Sequence, residues 1–380
     1  MTRRTLFLGG GAAALSAQTS KPVNVGLIGA GHRAWAHIAV LKAIPDFRIV
    51  GIADPTPEFL QRAAKLAGPD VATYPDYTQL LQQRKELDAV FVVTPGGLHV
   101  EPTVAAFERG LHVLSEKPMA TSIAGANLML AASEKAGRIL QIGQQMRYTP
   151  LYQKVFELTR AGEIGTIQFV AGNLFRGDWN PKSWQVADPG TGKPTIWRFL
   201  TRYTGSSLLE DGIHEIDVLN WIVGSRVHQV YATGGNNVLK ERETIDHAAL
   251  VLDYENGVKF QFGFSIFAPT SGASGRQMTF IGTEGSITVE QNQITLRQRG
   301  SEPRRVEVAN DAPAGLLQQQ VGRDLDIGTY RQSVAFLDSV RTGRKPVCDG
   351  QVGREVIHIS LLGEKSVRER RVVRWDELEA

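Results

Sequence analysis

The chain has a single cysteine, Cys348, so no intramolecular disulfide can form, which neither demands nor excludes an oxidising compartment. It also lacks charge of one sign. A formal net charge of +3 over 380 residues gives no footing for nucleic acid or an anionic membrane as partner. No apolar run reaches the roughly 18–20 residues that span a bilayer. No His, Asp or Glu set stands at metal-ligand spacing, so no metal is expected. A serine nucleophile elbow, a P-loop, internal repeats and low-complexity tracts are likewise missing. What remains is 42% apolar and 21% charged, the balance of a soluble globular protein long enough for two domains.

The chain is organised around Lys21–Ala39. A short apolar run, Val23–Ile28, leads into Gly29-Ala30-Gly31-His32-Arg33-Ala34 and then a helix-like segment. Glycines at 29 and 31 allow a tight turn and let bare backbone approach a pyrophosphate. Ala34 lets the helix sit close on a sheet, and the helix N-terminus favours the phosphate charge. Asp54 ends the next strand-like run, 23 residues after Gly31, where an acid can accept hydrogen bonds from ribose hydroxyls.

From Val23 to about Gly143, strand-like and helix-like segments alternate. Strands are expected at Val23–Ile28, Arg48–Ala53, Val71–Thr73, Asp88–Val93, His112–Leu114 and Arg138–Ile142. Thr56-Pro57, Asp76 and Thr121 or Ser122 open the intervening helices, and Gly68 and Gly137 close two of them. This is an α/β pattern, a doubly wound parallel sheet covered on both faces. Beyond Arg147 the texture changes. A helix from Thr149-Pro150 to Ala161 precedes strand-like runs at Thr166–Phe175, His228–Thr233, Ile245–Tyr254, Val258–Phe267, Gln277–Ile281 and Ser286–Glu290. One helix, Ser206–Val223, interrupts them. The second domain therefore reads as α+β with a large, mostly antiparallel open sheet. Gly177–Thr195 and Ala309–Ile327 read as loops, and a late helix, Gly353–Arg368, packs back on the first domain.

Four clusters follow the glycine turn. Thr94-Pro95-Gly96-Gly97-Leu98-His99 leaves a strand at the edge where parallel sheets bind ligands. Ser115-Glu116-Lys117-Pro118 leaves the next strand, and a lysine there sits near the nicotinamide end of a dinucleotide. It can hydrogen-bond a substrate hydroxyl while hydride departs from the same carbon. In Ser206–Val223, Glu210, His214, Asp217 and Trp221 share one helical face beside an apolar stripe of Leu209, Ile213, Ile216 and Val223. On an ideal helix Glu210 and His214 are offset by about 40°, with Asp211 and Asp217 about 60° to either side. Glu210 is thus placed to assist His214, and Asp211 less so. The fourth cluster, Gly143-Gln144-Gln145-Met146-Arg147-Tyr148, joins the domains and serves either a ligand or a hinge.

Together Gly29-Ala30-Gly31 with Asp54, Thr94-Pro95 with His99, Glu116-Lys117-Pro118 and Leu208–Trp221 resemble the glucose–fructose oxidoreductase / inositol dehydrogenase (Gfo/Idh/MocA) family over nearly the whole chain. The resemblance implies a Rossmann-type NAD(P)-binding domain at 20–146 and a substrate and oligomerisation domain at 147–350. It further implies hydride transfer on sugars or cyclitols, Lys117 and His214 as catalytic residues, and a homodimer or homotetramer through the second sheet. Glu210 stands where the family commonly has aspartate. Gly29, Ala30, Gly31, His32, Arg33, Asp54, Thr94, Pro95, His99, Glu116 and Lys117 are the expected cofactor residues. Arg147, Asp211 and Asp217 are the expected substrate residues. Asp54 repels a 2′-phosphate, and Pro55-Thr56-Pro57 offers no cation to offset that, so NAD is expected over NADP. Some relatives cleave glycosides by oxidation, elimination and re-reduction, a second chemistry open to the same residues. Residues 1–19, with Arg3-Arg4, a weakly apolar run and Ala14–Gln18, resemble a twin-arginine export signal, which implies a periplasmic location.

Overall fold

The computed structural model describes residues 21–177, 185–187, 193–268, 275–309 and 324–378. The expected export signal lies outside them, as does part of each expected long loop.

Six parallel strands build the first sheet: β1 (Val23–Ile28), β2 (Phe47–Ala53), β3 (Ala72–Tyr74), β4 (Ala89–Val92), β5 (His112–Glu116) and β6 (Leu140–Gly143). Their order is β3-β2-β1-β4-β5-β6, so chain direction across the sheet reverses between β1 and β4. Every residue of β1 and β4 is buried, which explains their near-continuous apolar sequences. Helices α1 (His32–Lys42), α2 (Pro57–Ala67), α3 (Tyr77–Gln83), α4 (Val100–Glu108) and α5 (Ile123–Ala136) connect them. Asp76 and Ser122 cap α3 and α5 through their side chains, and Gly137 ends α5 in the left-handed conformation.

After α6 (Pro150–Arg160) come β7 (Ile167–Phe175), the two-stranded pair β8 (Gln185–Ala187) and β9 (Pro194–Ile196), and a one-turn α7 (Thr201–Thr204). Helix α8 (Ile213–Val223) follows. The second sheet then continues through β10 (Val227–Gly235), β11 (His247–Tyr254), β12 (Lys259–Ser265), β13 (Arg276–Gly282), β14 (Gly285–Glu290), β15 (Gln293–Gln298), β16 (Arg304–Val306) and β17 (Val373–Arg374). Its nine strands run β16-β15-β14-β13-β7-β12-β11-β10-β17, all pairs antiparallel except β7 with β12. The expected fold class holds, and the sheet extends beyond Glu290, where the sequence reading ended it.

Three findings concern helices. Asp324–Ile327, expected as loop, begins α9 (Asp324–Thr342). It packs on α1 and on the short 3₁₀ turn Gln145–Tyr148. Ser206–Val223 is not one α-helix, because Leu208–Gly212 is a π-turn feeding α8. The late helix is α10 (Gly350–Glu369), and it bridges rather than leans on one domain. Arg354 donates to Asn127 of α5 at 2.7 Å, and Glu355 accepts from Asn220 of α8 at 3.1 Å. Val356, Ile357, Ile359 and Leu362 bury its apolar side in the core shared by both sheets.

Candidate active site

The glycine turn closes the carboxyl end of β1. Gly29 has φ +101°, and a Cβ there would stand 2.8 Å from the Val93 backbone, so only glycine fits. Gly31 begins α1 with no side-chain cap, and no other atom lies within 4 Å of where its Cβ would be. An open helix N-terminus of this kind suits a phosphate. Asp54 braces the turn from β2: Oδ2 accepts from the Ala30 N–H at 2.7 Å and Oδ1 from the Thr56 N–H at 2.8 Å. Burial raises its pKa, and those two N–H groups oppose the rise. The residues present therefore fit a dinucleotide. His32 is exposed and packs at a tilt against Trp35, with ring centroids 4.3 Å apart.

Glu116 ties this turn to the lysine strand. Its Oε1 accepts from Arg33 Nε at 2.6 Å and from His37 Nε2 at 2.8 Å, and its Oε2 from the Lys117 N–H at 3.1 Å. Burial alone would raise Glu116, but Arg33 and His37 outweigh it and hold the carboxyl well below the usual range. Arg33 also donates to Thr329 of α9 at 3.1 Å. Glu116 and Arg33, both expected to meet cofactor, are joined to each other. His99 is likewise held by its neighbours. It is fully buried, with Nδ1 2.7 Å from the Pro118 carbonyl and Nε2 2.7 Å from the Thr94 carbonyl, and so pins one loop to the next.

The second domain delivers its residues from the π-turn. Lys117 Nζ donates to the Glu210 carbonyl at 2.7 Å and to Glu210 Oε1 at 3.1 Å. The same Oε1 takes Arg198 Nη2 at 2.9 Å, and Arg198 Nη1 reaches Asp211 Oδ1 at 3.3 Å. Arg242 lies 3.7 Å from Asp211 Oδ2. Glu210 thus faces Lys117 and Arg198 rather than His214, contrary to the ideal-helix expectation. A π-turn carries more residues per turn than an α-helix, so residues four apart no longer stack. His214 is half-buried, and its Nδ1 has no hydrogen-bond partner. Burial, then the Lys117 and Arg276 charges, push its pKa well below the ordinary 6.5, so it is a neutral base at pH 7.

Arg147 and Asp217, expected at the substrate, form a buried pair. Arg147 Nε lies 2.8 Å from both Asp217 oxygens, and Nη2 lies 2.7 Å from Oδ1. Trp221 stacks on Phe156 of α6 instead of facing the cleft. Sequence reasoning missed Arg198 and Arg242, which belong to no motif, and Glu364 of α10. Glu364 caps the π-turn through Ser206 and the Leu208 N–H, and burial pushes its pKa up to about 7. Among the described residues no three His, Cys, Asp or Glu gather as a metal site, and no helix is long and apolar enough to cross a membrane.

Comparison with known proteins adds family evidence. A family model described as "Oxidoreductase family, NAD-binding Rossmann fold" matches residues 23–144, and the GFO/IDH/MocA C-terminal domain matches residues 152–288. The myo-inositol 2-dehydrogenase of Thermotoga maritima is 24% identical over 94% of this chain and 99% of its own. The 2,7-anhydro-N-acetylneuraminate hydratase of Mediterraneibacter gnavus is 30% identical over 57% of this chain and 53% of its own. A levoglucosan dehydrogenase solved with NADH and levoglucosan superimposes with TM-score 0.80 at 22% identity, covering 94% of this chain and all of that one. At that identity the superposition speaks for the fold.

Proposed function

The chain belongs to the GFO/IDH/MocA family of NAD-binding oxidoreductases, and from that premise we propose that it exchanges hydride between NAD and a ring hydroxyl or ketone of a sugar or cyclitol. The observation that carries this is the meeting of Lys117, from the NAD-binding sheet, with the π-turn of the second domain, one turn before a neutral His214. Gly29, Ala30, Gly31 and Asp54 would hold the dinucleotide. When bound, NAD supplies the hydride acceptor. Lys117 holds the substrate oxygen by donating to it, and His214 takes the hydroxyl proton as the C–H electron pair leaves with its hydrogen. Glu210 and Arg198 fix the lysine and frame the substrate. The second sheet supports assembly of a homodimer or homotetramer: Tyr231, Val251 and Ile281, on separate strands, are each exposed by more than 40%.

Incubating the purified chain with NAD and a panel of inositols, aldoses and anhydrosugars should yield NADH absorbance at 340 nm and the corresponding ketone or lactone with at least one of them. A relative named as a hydratase favours including a redox-neutral readout, loss of a glycosidic or anhydro bond without net NADH. Conversion of no polyol or glycoside by either readout would end the proposal.

Export is proposed on separate grounds, the Arg3-Arg4 pair and the short apolar run behind it. Arg3→Lys with Arg4→Lys should retain the protein in the cytoplasm of its host. Equal periplasmic recovery of the variant and the parent in cell fractions would sink this reading.

A further inference from the structure

The glycine turn contains two peptide units, one on each side of Ala30, and each is held by a different side chain. The unit between Gly29 and Ala30 gives its N–H to Asp54 Oδ2 at 2.7 Å. The unit between Ala30 and Gly31 is held by its carbonyl, which accepts from Nε1 of Trp35 in α1 at 2.8 Å. A trans peptide is planar, with its C=O and N–H pointing opposite ways. Drawing the Ala30 carbonyl toward Trp35 therefore turns the Gly31 N–H away from that ring. It belongs to the first N–H groups of α1, which no intrahelical carbonyl can take. The space beside Gly31 is open, with no other atom within 4 Å of where its Cβ would stand.

The indole that sets this direction is itself braced from α2. The Arg62 guanidinium lies 3.8 Å from the ring centroid, and Phe59 stands edge-on at 6.4 Å. His32, on the first turn of α1, packs against the same ring at 4.3 Å. A half-buried ring held on several sides has little freedom left to lose when its N–H bonds. We propose that Trp35 is a positioning residue for the dinucleotide, aiming the Gly31 N–H at the pyrophosphate. This rests on the NAD chemistry proposed above and goes beyond it, since the glycine pattern supplies the backbone donor but not the group that points it. Asp54 serves the turn and the ribose together, whereas the Trp35 N–H holds only the Ala30 carbonyl and so isolates the contact with phosphate.

The test is Trp35→Phe, which keeps an aromatic ring against Arg62 and Phe59 and removes the donor. NAD and ADP-ribose are titrated by calorimetry into the full-length parent and variant, adenosine is measured by competition with ADP-ribose, and the ligand-free proteins are melted. NAD and ADP-ribose both carry the pyrophosphate and should lose affinity by the same factor, about three- to tenfold, the usual worth of one hydrogen bond. Adenosine carries no phosphate and should bind the variant as it binds the parent. Arg62→Lys keeps the charge and gives up the planar cover of the ring. It should show the same pattern with a smaller loss, and it decides the matter alone if Trp35→Phe shows no cooperative melt. NAD affinity equal to the parent's, or an equal loss for adenosine, would show an indole that only packs α1 on α2 and would overturn the proposal while leaving NAD binding in place. A parent that binds no NAD would end both readings. The selective loss in a chain that converts no polyol would leave Trp35 assigned and the proposed activity refuted.

Discussion

Lys117→Ala and His214→Ala are each expected to lower turnover by about two to four orders of magnitude, the usual loss when positioned acid–base assistance is removed, while NAD stays bound. The affinity should survive because the glycine turn and Asp54 are braced by backbone N–H groups, not by either side chain. The fold should survive Lys117→Ala because Glu210 keeps Arg198 as a partner at 2.9 Å. The pH dependence carries a sign. His214 has its pKa lowered by burial and by Lys117, so its neutral form persists as pH falls through 6.5. The acid limb of kcat/KM should therefore lie below 6.5. In Lys117→Ala one of the charges depressing His214 is gone, and the imidazole titration followed by NMR should move upward. An acid limb at or above 6.5 in the parent would give the proton to another group.

Arg147→Met should destabilise the protein by about 3–5 kcal/mol, the cost of stranding a buried carboxylate. That is a large part of the roughly 5–15 kcal/mol that holds a typical chain folded. Asp217 is fully buried and its carboxylate oxygens lie within 2.8 Å of Arg147, so no water replaces the lost guanidinium. Adding Asp217→Leu removes the stranded charge and should restore most of the loss, to be read from urea midpoints. The double variant also decides a functional question. If Arg147 meets substrate, as its place after β6 suggested, restored stability should come without restored turnover. With the pair wholly structural, both should return. A cost below about 1 kcal/mol for Arg147→Met would show that the pair is not sealed from water.

Legibility in the sequence followed the chemistry of burial. The first sheet was readable because β1, β4 and β6 are buried on both faces and its caps, Asp76 and Ser122, are polar residues with a local task. Helix α9 was not. Its buried side includes Thr329, which accepts from Arg33, together with Gln332 and Ser333, so the apolar period that marks a helix is broken. The candidate site split the same way. Gly29, Asp54, Lys117 and His214 sit in local motifs, and the structure sets the first three about the glycine turn and the cleft. Arg198 and Arg242 act through pairings across long loops, to which no spacing rule points. The π-turn was hidden as well, since Leu208–Gly212 has the composition of an ordinary helix start with one glycine.

The contact of Arg33 with Thr329 spans 296 positions of sequence, and Arg341 reaches Asp46 across 295. Phe336 also stands edge-on to Phe91 at 5.5 Å, inside the core that carries β1. On a ribosome adding about 5–20 residues per second, the helix that supports the glycine turn emerges about 15–60 seconds after the turn itself. The nascent turn and its first strands must wait for that time with the core on the α1 side of the sheet only partly covered. A dinucleotide pocket of full strength is thus a property of the finished chain, and a fragment ending at β6 should aggregate rather than bind.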